Sequence, residues 1–156
     1  MKASKLVDLI GNTPLVISQN LVQNNNVKLL LKLEGNNPGG SLKDRAAYNM
    51  IATAIENGTI KKGDKLIEAT SGNTGIALAM IAQLFEIDIE LVLPENSTKE
   101  RTQTMRAYGA KVILTPANEG IIGSRDYADR KVAEGGYVML NQFANHNNWK
   151  AHYKTT

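Results

Sequence analysis

"KLIEATSGNTGIALAMIAQLFEI", residues 65–87, changes its periodicity halfway along. "KLIEAT" (65–70) reads as a short apolar strand, and "SGNTG", with glycines at 72 and 75, marks a tight turn. "IALAMIAQLFEI" (76–87) is then a helix apolar nearly all round, which is stable only when neighbours cover it on every side. A central helix fed directly by a strand predicts an α/β fold.

The same alternation extends outward in both directions. Upstream, "VKLLLKLE" (27–34) reads as a strand. A helix follows to about Glu56, with Ala47, Ile51, Ala54 and Ile55 on one face and Gly58 just past its end. Downstream, "DIELVLPE" (88–95) is a strand ended by Pro94. "STKERTQTMRAY" (97–108) is a polar helix capped by Ser97 or Thr98 and stopped by Gly109. "KVILTP" (111–116), a helix near 119–134 and a strand "YVMLNQF" (137–143) complete the pattern. Such βα repeats predict a parallel sheet flanked by helices on both faces. Ligands of these sheets bind outside the carboxyl ends of the strands, where loops 35–42 and 70–75 both fall. Residues 1–26 break the repeat; "GNTPLV" and "NLVQNNNV" suggest extended segments and a polar turn, forming a hairpin with 27–34.

Composition narrows the function classes. A chain of 156 residues suits one domain and buries about 70% of its unfolded surface. The absence of cysteine excludes disulfides, iron–sulfur clusters and thiolate zinc sites. His146 and His152 are six residues apart with no suitably spaced third ligand, so no metal site is expected. The net charge of +3 is scattered, and its densest basic run, Lys61-Lys62, is too small a footprint for nucleic acid. "GIALAMIAQLF" is too short to span a bilayer, and the first residues lack the apolar core of a signal peptide. We read a cytoplasmic protein without a membrane partner.

Two loops carry the chemistry. In "EGNNPGGSLKDRAAYNMI" (34–51) a helix opens at about Ser41, placing Lys43 in its first turn. A cation at that positive pole costs about 0.3–1 kcal/mol. A nucleotide phosphate loop needs lysine directly after the second glycine, but Ser41 and Leu42 follow Gly40; a Ser-x-x-Lys nucleophile also fails. One remaining reading is a capping box of Ser41 and Asp44, with Lys43 reaching into solvent. The other is an imine-forming lysine, which must spend time as the free amine and gains from a site that disfavours ammonium. On this loop alone both stay open.

"EATSGNTGIA" (68–77) lacks the third glycine of a dinucleotide fingerprint. It is still an anion cradle: backbone N–H groups at a helix start, with hydroxyls of Thr70, Ser71 and Thr74 beside them. A well-capped helix with Gly72 in a tight turn is an equal reading.

Taken together, "LIGNTPLV", "NNPGGSLKDRAA", "EATSGNTGIALA", "MRAYGAKVILTP" and "NQFANHNN…AHYKTT" resemble the cysteine synthase (O-acetylserine sulfhydrylase) family, with "NPGGSLKDR" and "MRAYGA" closest to its B type. The resemblance implies the tryptophan-synthase β-like fold (fold type II) and pyridoxal 5′-phosphate. By it, Lys43 forms the Schiff base and shuttles the α-proton, and Asn73 hydrogen-bonds the cofactor's 3′-oxygen. Thr70, Ser71, Gly72 and Thr74 hold the substrate α-carboxylate, with Gln142 reaching the same group. Trp149 and Tyr153, at i and i+4, are expected to be packing residues.

The resemblance also implies the N-terminal half of a longer enzyme. Residues 1–34 would pack on the C-terminal domain, 35–145 would form the smaller α/β domain, and 146–156 would begin the connection. The cofactor phosphate loop is expected in the remainder, so 156 residues alone are expected to be inactive. The full-length protein would be a homodimer making L-cysteine from O-acetyl-L-serine and sulfide or thiosulfate. Two alternatives remain. One is a related enzyme of the cystathionine β-synthase or serine/threonine dehydratase type; "SLKDR" argues against a dehydratase, which more often carries an aromatic before the lysine. The other is a non-catalytic domain that binds small carboxylates or a partner.

Overall fold

The computed structural model describes residues 5–18, 20–24, 26–70 and 72–156. Alternation along β3 (Lys65–Ala69) and β4 (Asp88–Pro94) decides how the molecule is layered. Leu66, Ile89, Leu91 and Leu93 face one way and join a core with Ala47, Met50 and Ile51 of α1 (Lys43–Glu56) and Ala77 to Ala82 of α2 (Asn73–Leu84). Ile67, Ala69 and Val92 face the other way and meet Ala128 of α4 (Gly120–Glu134). Helices therefore cover both faces, as the repeats predict. Every α2 residue from Ala77 to Ala82 is buried, so the central placement of that helix holds.

The sheet is parallel, in the order β3-β4-β5, with β5 spanning Lys111–Thr115. Its register runs Lys65↔Asp88 to Ala69↔Val92 and Glu90↔Lys111 to Pro94↔Thr115. α3 (Lys99–Ala107) joins β4 to β5 and stops before Gly109, whose φ of 85° suits glycine. Thr98 stands at its N-cap, though without a side-chain capping bond. α5 (His146–Thr155) packs on α1 through Ala151. The hairpin expectation also holds: β1 (Leu15–Ser18) and β2 (Leu29–Lys32) pair antiparallel, Leu15↔Lys32 to Ser18↔Leu29. Leu15, Ile17 and Leu30 share one face of it and are 57%, 62% and 51% exposed.

One expectation is corrected. Residues 137–143 do not form a strand: only Val138 bridges Leu66, donating to the Lys65 carbonyl at 2.8 Å and accepting from the Ile67 N–H at 3.0 Å. The chain then bends at Asn141 (φ 53°) because the buried Glu68 carboxylate takes the N–H groups that a longer ladder would use. Trp149 and Tyr153 pack against each other, on the outer side of α5. They meet edge to face with centroids 6.5 Å apart, 55% and 85% exposed, while Ala151 supplies the inward face of α5.

Close packing makes Gly75 irreplaceable where α2 leaves the turn. A β-carbon there would lie 2.5 Å from Thr70 Cγ2 and 2.7 Å from Met105 Cε. Gly75→Ala is expected to cost about 1–3 kcal/mol by overpacking. Urea unfolding measures it, and an unchanged midpoint would show that Thr70 and Met105 give way freely.

Candidate active site

Lys43 is the first residue of α1, and the chain before it explains its position. Gly40 turns the backbone with φ 81°, and its N–H donates to the Asn37 carbonyl at 2.8 Å. Ser41 and Asp44 do not form the reciprocal capping box that is one of the two readings of this loop. The Ser41 hydroxyl accepts from the Lys43 N–H at 3.1 Å, and the Asp44 carboxylate reaches past Ser41 to the Gly39 N–H at 2.5 Å. Glycine is required at 39, since a β-carbon would sit 2.5 Å from Asp44 Oδ1. Asp44 is fully buried, and burial raises its carboxyl above the usual range. The capping groups are thus turned inward and bind the loop, leaving the Lys43 side chain half-buried at the helix start.

Beyond the carboxyl end of β3 lies a cavity of about 450 Å³. Its lining brings together Lys43, Thr70, Gly72, Asn73, Thr74 and Gln142, six of the seven residues named from the sequence. Ser71 lies outside the described residues. Asn73 and Thr74 open α2, so their N–H groups have no acceptor within the helix. Gly72 is extended at φ −169°; a β-carbon there would lie 3.6 Å from the Arg101 guanidinium carbon, an ordinary contact. Gly72 therefore leaves the helix start open without relieving any strain of its own.

Sequence reasoning missed three lining residues: Arg101 of α3, Ile121 of α4 and Phe143. Arg101 lies in a polar helix with no local signal, whereas Phe143 adjoins Gln142 and could have been inferred with it. Arg125 of α4 covers the Phe143 ring, 4.9 Å from its centroid. The charges in the lining are those of Lys43 and Arg101, with no acidic side chain among the described residues there. No group of three His, Asp or Glu able to hold a metal occurs among them. An amine facing exposed helix N–H groups in an acid-free cavity suits a ligand with a carbonyl carbon and an anionic group.

Gln142 is held from both its ends. Its side-chain Nε2 donates to the Ala69 carbonyl at 2.7 Å, and its backbone N–H donates to Glu68 at 3.1 Å. Burial pushes the Glu68 carboxyl up to about 7, against the pull of backbone donors at Gln142, Asn141 and Leu140. His152 of α5 is shifted the other way: partial burial, then the charges of Lys43 and Arg45, hold its imidazole below the usual range.

Residues 6–156 match the family model described as pyridoxal-phosphate dependent enzyme. The chain is 52% identical over 151 residues to cysteine synthase B of Pseudomonas syringae pv. syringae, covering 97% of this chain and 89% of that sequence. It is 53% identical over 153 residues to cysteine synthase B of Escherichia coli, covering 98% of this chain and 50% of that one. A solved hydrogen sulfide-producing enzyme of Fusobacterium nucleatum superposes with a TM-score of 0.91 at 46% identity, over 99% of this chain and 52% of that one. The chain thus spans about half the length of most of the relatives it matches. No described helix is long and apolar enough to cross a membrane. With the motifs, the parallel sheet and the matched span in agreement, the chain belongs to the pyridoxal-phosphate dependent enzymes and, within them, to the cysteine synthase family.

Proposed function

We propose that this chain supplies the lysine and the carboxylate-binding loops of a longer cysteine synthase, which forms L-cysteine from O-acetyl-L-serine and a sulfur donor, sulfide or thiosulfate. One observation carries the reading: Lys43 and the Gly72-Asn73-Thr74 turn line one acid-free cavity. Those residues fit pyridoxal 5′-phosphate at its aldehyde end, since an aldehyde needs an amine and Lys43 presents one. Asn73 would hydrogen-bond the ring oxygen beside it.

When bound, the cofactor supplies an electron sink for charge developing on the substrate α-carbon. The chain does the rest. The N–H groups of the 72–74 turn, the Thr70 and Thr74 hydroxyls, Ser71 and the Gln142 amide orient the substrate through its α-carboxylate. The Lys43 amine would take and return the α-proton. Ile121 and Phe143 supply the apolar side of the cavity.

The domain reading belongs to the same proposal. Residues 35–145 act as a small domain closing over substrate, and 146–156 lead towards the remaining chain. The hairpin in 1–34 packs on that remainder, a placement supported by its exposed Leu15, Ile17 and Leu30. The complete protein is read from the family as a cytoplasmic homodimer acting on small molecules.

Absorbance tests the reading. The full-length protein should show a cofactor band near the visible edge that shifts when O-acetyl-L-serine is added. Gly72→Val should raise the KM about tenfold or more by covering the Asn73 and Thr74 N–H groups. A protein that binds O-acetyl-L-serine without any spectral change would instead be a carboxylate-binding module.

A further inference from the structure

Glu68 is a carboxylate where the sheet calls for a hydrocarbon. It shares a strand face with Leu66, which lies in the main core, and is itself only 3% exposed. Burying an ionisable group is costly unless donors compensate it. Here they come from more than seventy residues away. The Asn141 N–H donates to Oε2 at 3.0 Å and the Gln142 N–H donates to Oε1 at 3.1 Å. Asn141 has φ 53°, a left-handed conformation that turns successive N–H groups towards one anion.

The other polar groups of this bend are satisfied elsewhere. Asn145 Nδ2 donates to the Leu140 carbonyl at 2.9 Å, and Asn148 Nδ2 donates to the Gln142 carbonyl at 2.8 Å. The Asn141 carbonyl accepts from Ala144 and Asn145 at 3.0 and 2.9 Å. Glu68 thus accepts the Asn141 and Gln142 N–H groups, which the bend's own bonds do not use. The Gln142 side chain rests on the carbonyl of Ala69, the next residue of β3. With that bond made, Gln142 keeps one amide N–H and its Oε1 for the cavity it lines. The same strand runs on into the 70–74 turn.

We propose that Glu68 is the positioning residue for Gln142: through the two oxygens that accept from Asn141 and Gln142 its carboxyl group holds the 141–142 backbone, so that β3 sets the distance between the two arms of the substrate-carboxylate cradle. The proposal rests on the reading of Gln142 as one of those arms. Misplacing such an arm by about 1 Å can cost up to about 10²-fold in kcat/KM, and for a group that binds the substrate carboxylate the loss falls mainly on KM. Glu68 touches neither substrate nor cofactor and acts only through the bend.

A double-mutant cycle on the cofactor-loaded full-length protein tests it, with hydrogen exchange on the ligand-free protein as a readout independent of turnover. E68Q keeps the size and one acceptor but sets an amide N–H against a backbone N–H. It should raise the KM for O-acetyl-L-serine about tenfold, change kcat much less, and speed exchange at the Asn141 and Gln142 amides. Q142A should raise the KM at least as much, and E68Q/Q142A should be no worse than Q142A alone, because both remove one interaction. If E68Q does not fold, E68D keeps the charge but is too short to reach both N–H groups, and should show the same signs. A KM rise in Q142A with none in E68Q or E68D overturns the positioning role, as do losses that multiply in the double variant. An unchanged KM in Q142A overturns the reading of Gln142 itself, a separate outcome.

Discussion

Lys43→Ala is expected to leave a folded protein with no covalently held cofactor and a turnover lowered by at least about 10³-fold, the scale that follows if one group supplies both attachment and proton transfer. The fold should tolerate the change. Lys43 is half-buried at the first position of α1, its side chain makes none of the helix-capping bonds, and alanine favours helix. Stability should stay within about 0.5 kcal/mol. Lys43→Arg should fail as completely, because a guanidinium is not deprotonated and cannot join an aldehyde. Borohydride reduction followed by mass measurement reads the attachment directly. An alanine variant that still carries reduced cofactor on its chain would remove Lys43 from the assignment.

Arg45→Met should destabilise the protein by about 3–5 kcal/mol, because it strips the partner from a carboxylate enclosed by protein. The Arg45 side chain is 1% exposed and grips Glu34 through two bonds, Nε to Oε2 and Nη2 to Oε1, both 2.8 Å. Glu34 also accepts from Thr13 at 2.5 Å and from Asn37 at 3.0 Å, and a further Arg45 nitrogen donates to the Thr155 carbonyl. One guanidinium thereby joins the loop before the hairpin, the 34–37 turn and the end of α5 to α1, two residues from Lys43.

The effect has a pH signature. Hydrogen bonding to Arg45 holds the Glu34 carboxyl at about 2 rather than 4.5. A depressed carboxyl stabilises the fold above its unfolded value, and that stabilisation is lost as pH falls from about 4.5 to about 2. Its full size is about 3 kcal/mol. Chemical denaturation at pH 7 and pH 3 should show roughly two thirds of this loss in the parent and little of it in Arg45→Met. A variant with the parental midpoint and the parental acid limb would mean that Arg45 holds nothing together.

The order of elements was legible from local signals. Aliphatic runs at 65–69, 88–94 and 111–115, glycines at 58 and 109, and the apolar α2 each act within a few residues, and the fold follows them. The position of Lys43 at a helix start, and of Gly72 to Thr74 at another, came from the same short-range chemistry. The "YVMLNQF" segment shows where such reasoning stops. Its residues favour a strand, yet only Val138 pairs, because the bend that follows is decided by a carboxylate on β3. Arg101 and Ile121 entered the cavity without any local mark, brought there by the packing of α3 and α4 around β3, whereas Phe143 came with its neighbour Gln142. The sequence by itself determined the order of the helices and of the strands at 65–69, 88–94 and 111–115, and which two loops could hold an amine and an anion. Only the tertiary structure decided that Lys43 and Gln142 line one cavity, and which buried charges hold them there. Propensity is settled among neighbours in the chain, whereas burying a carboxylate such as Glu34 or Glu68 depends on donors that folding brings from elsewhere.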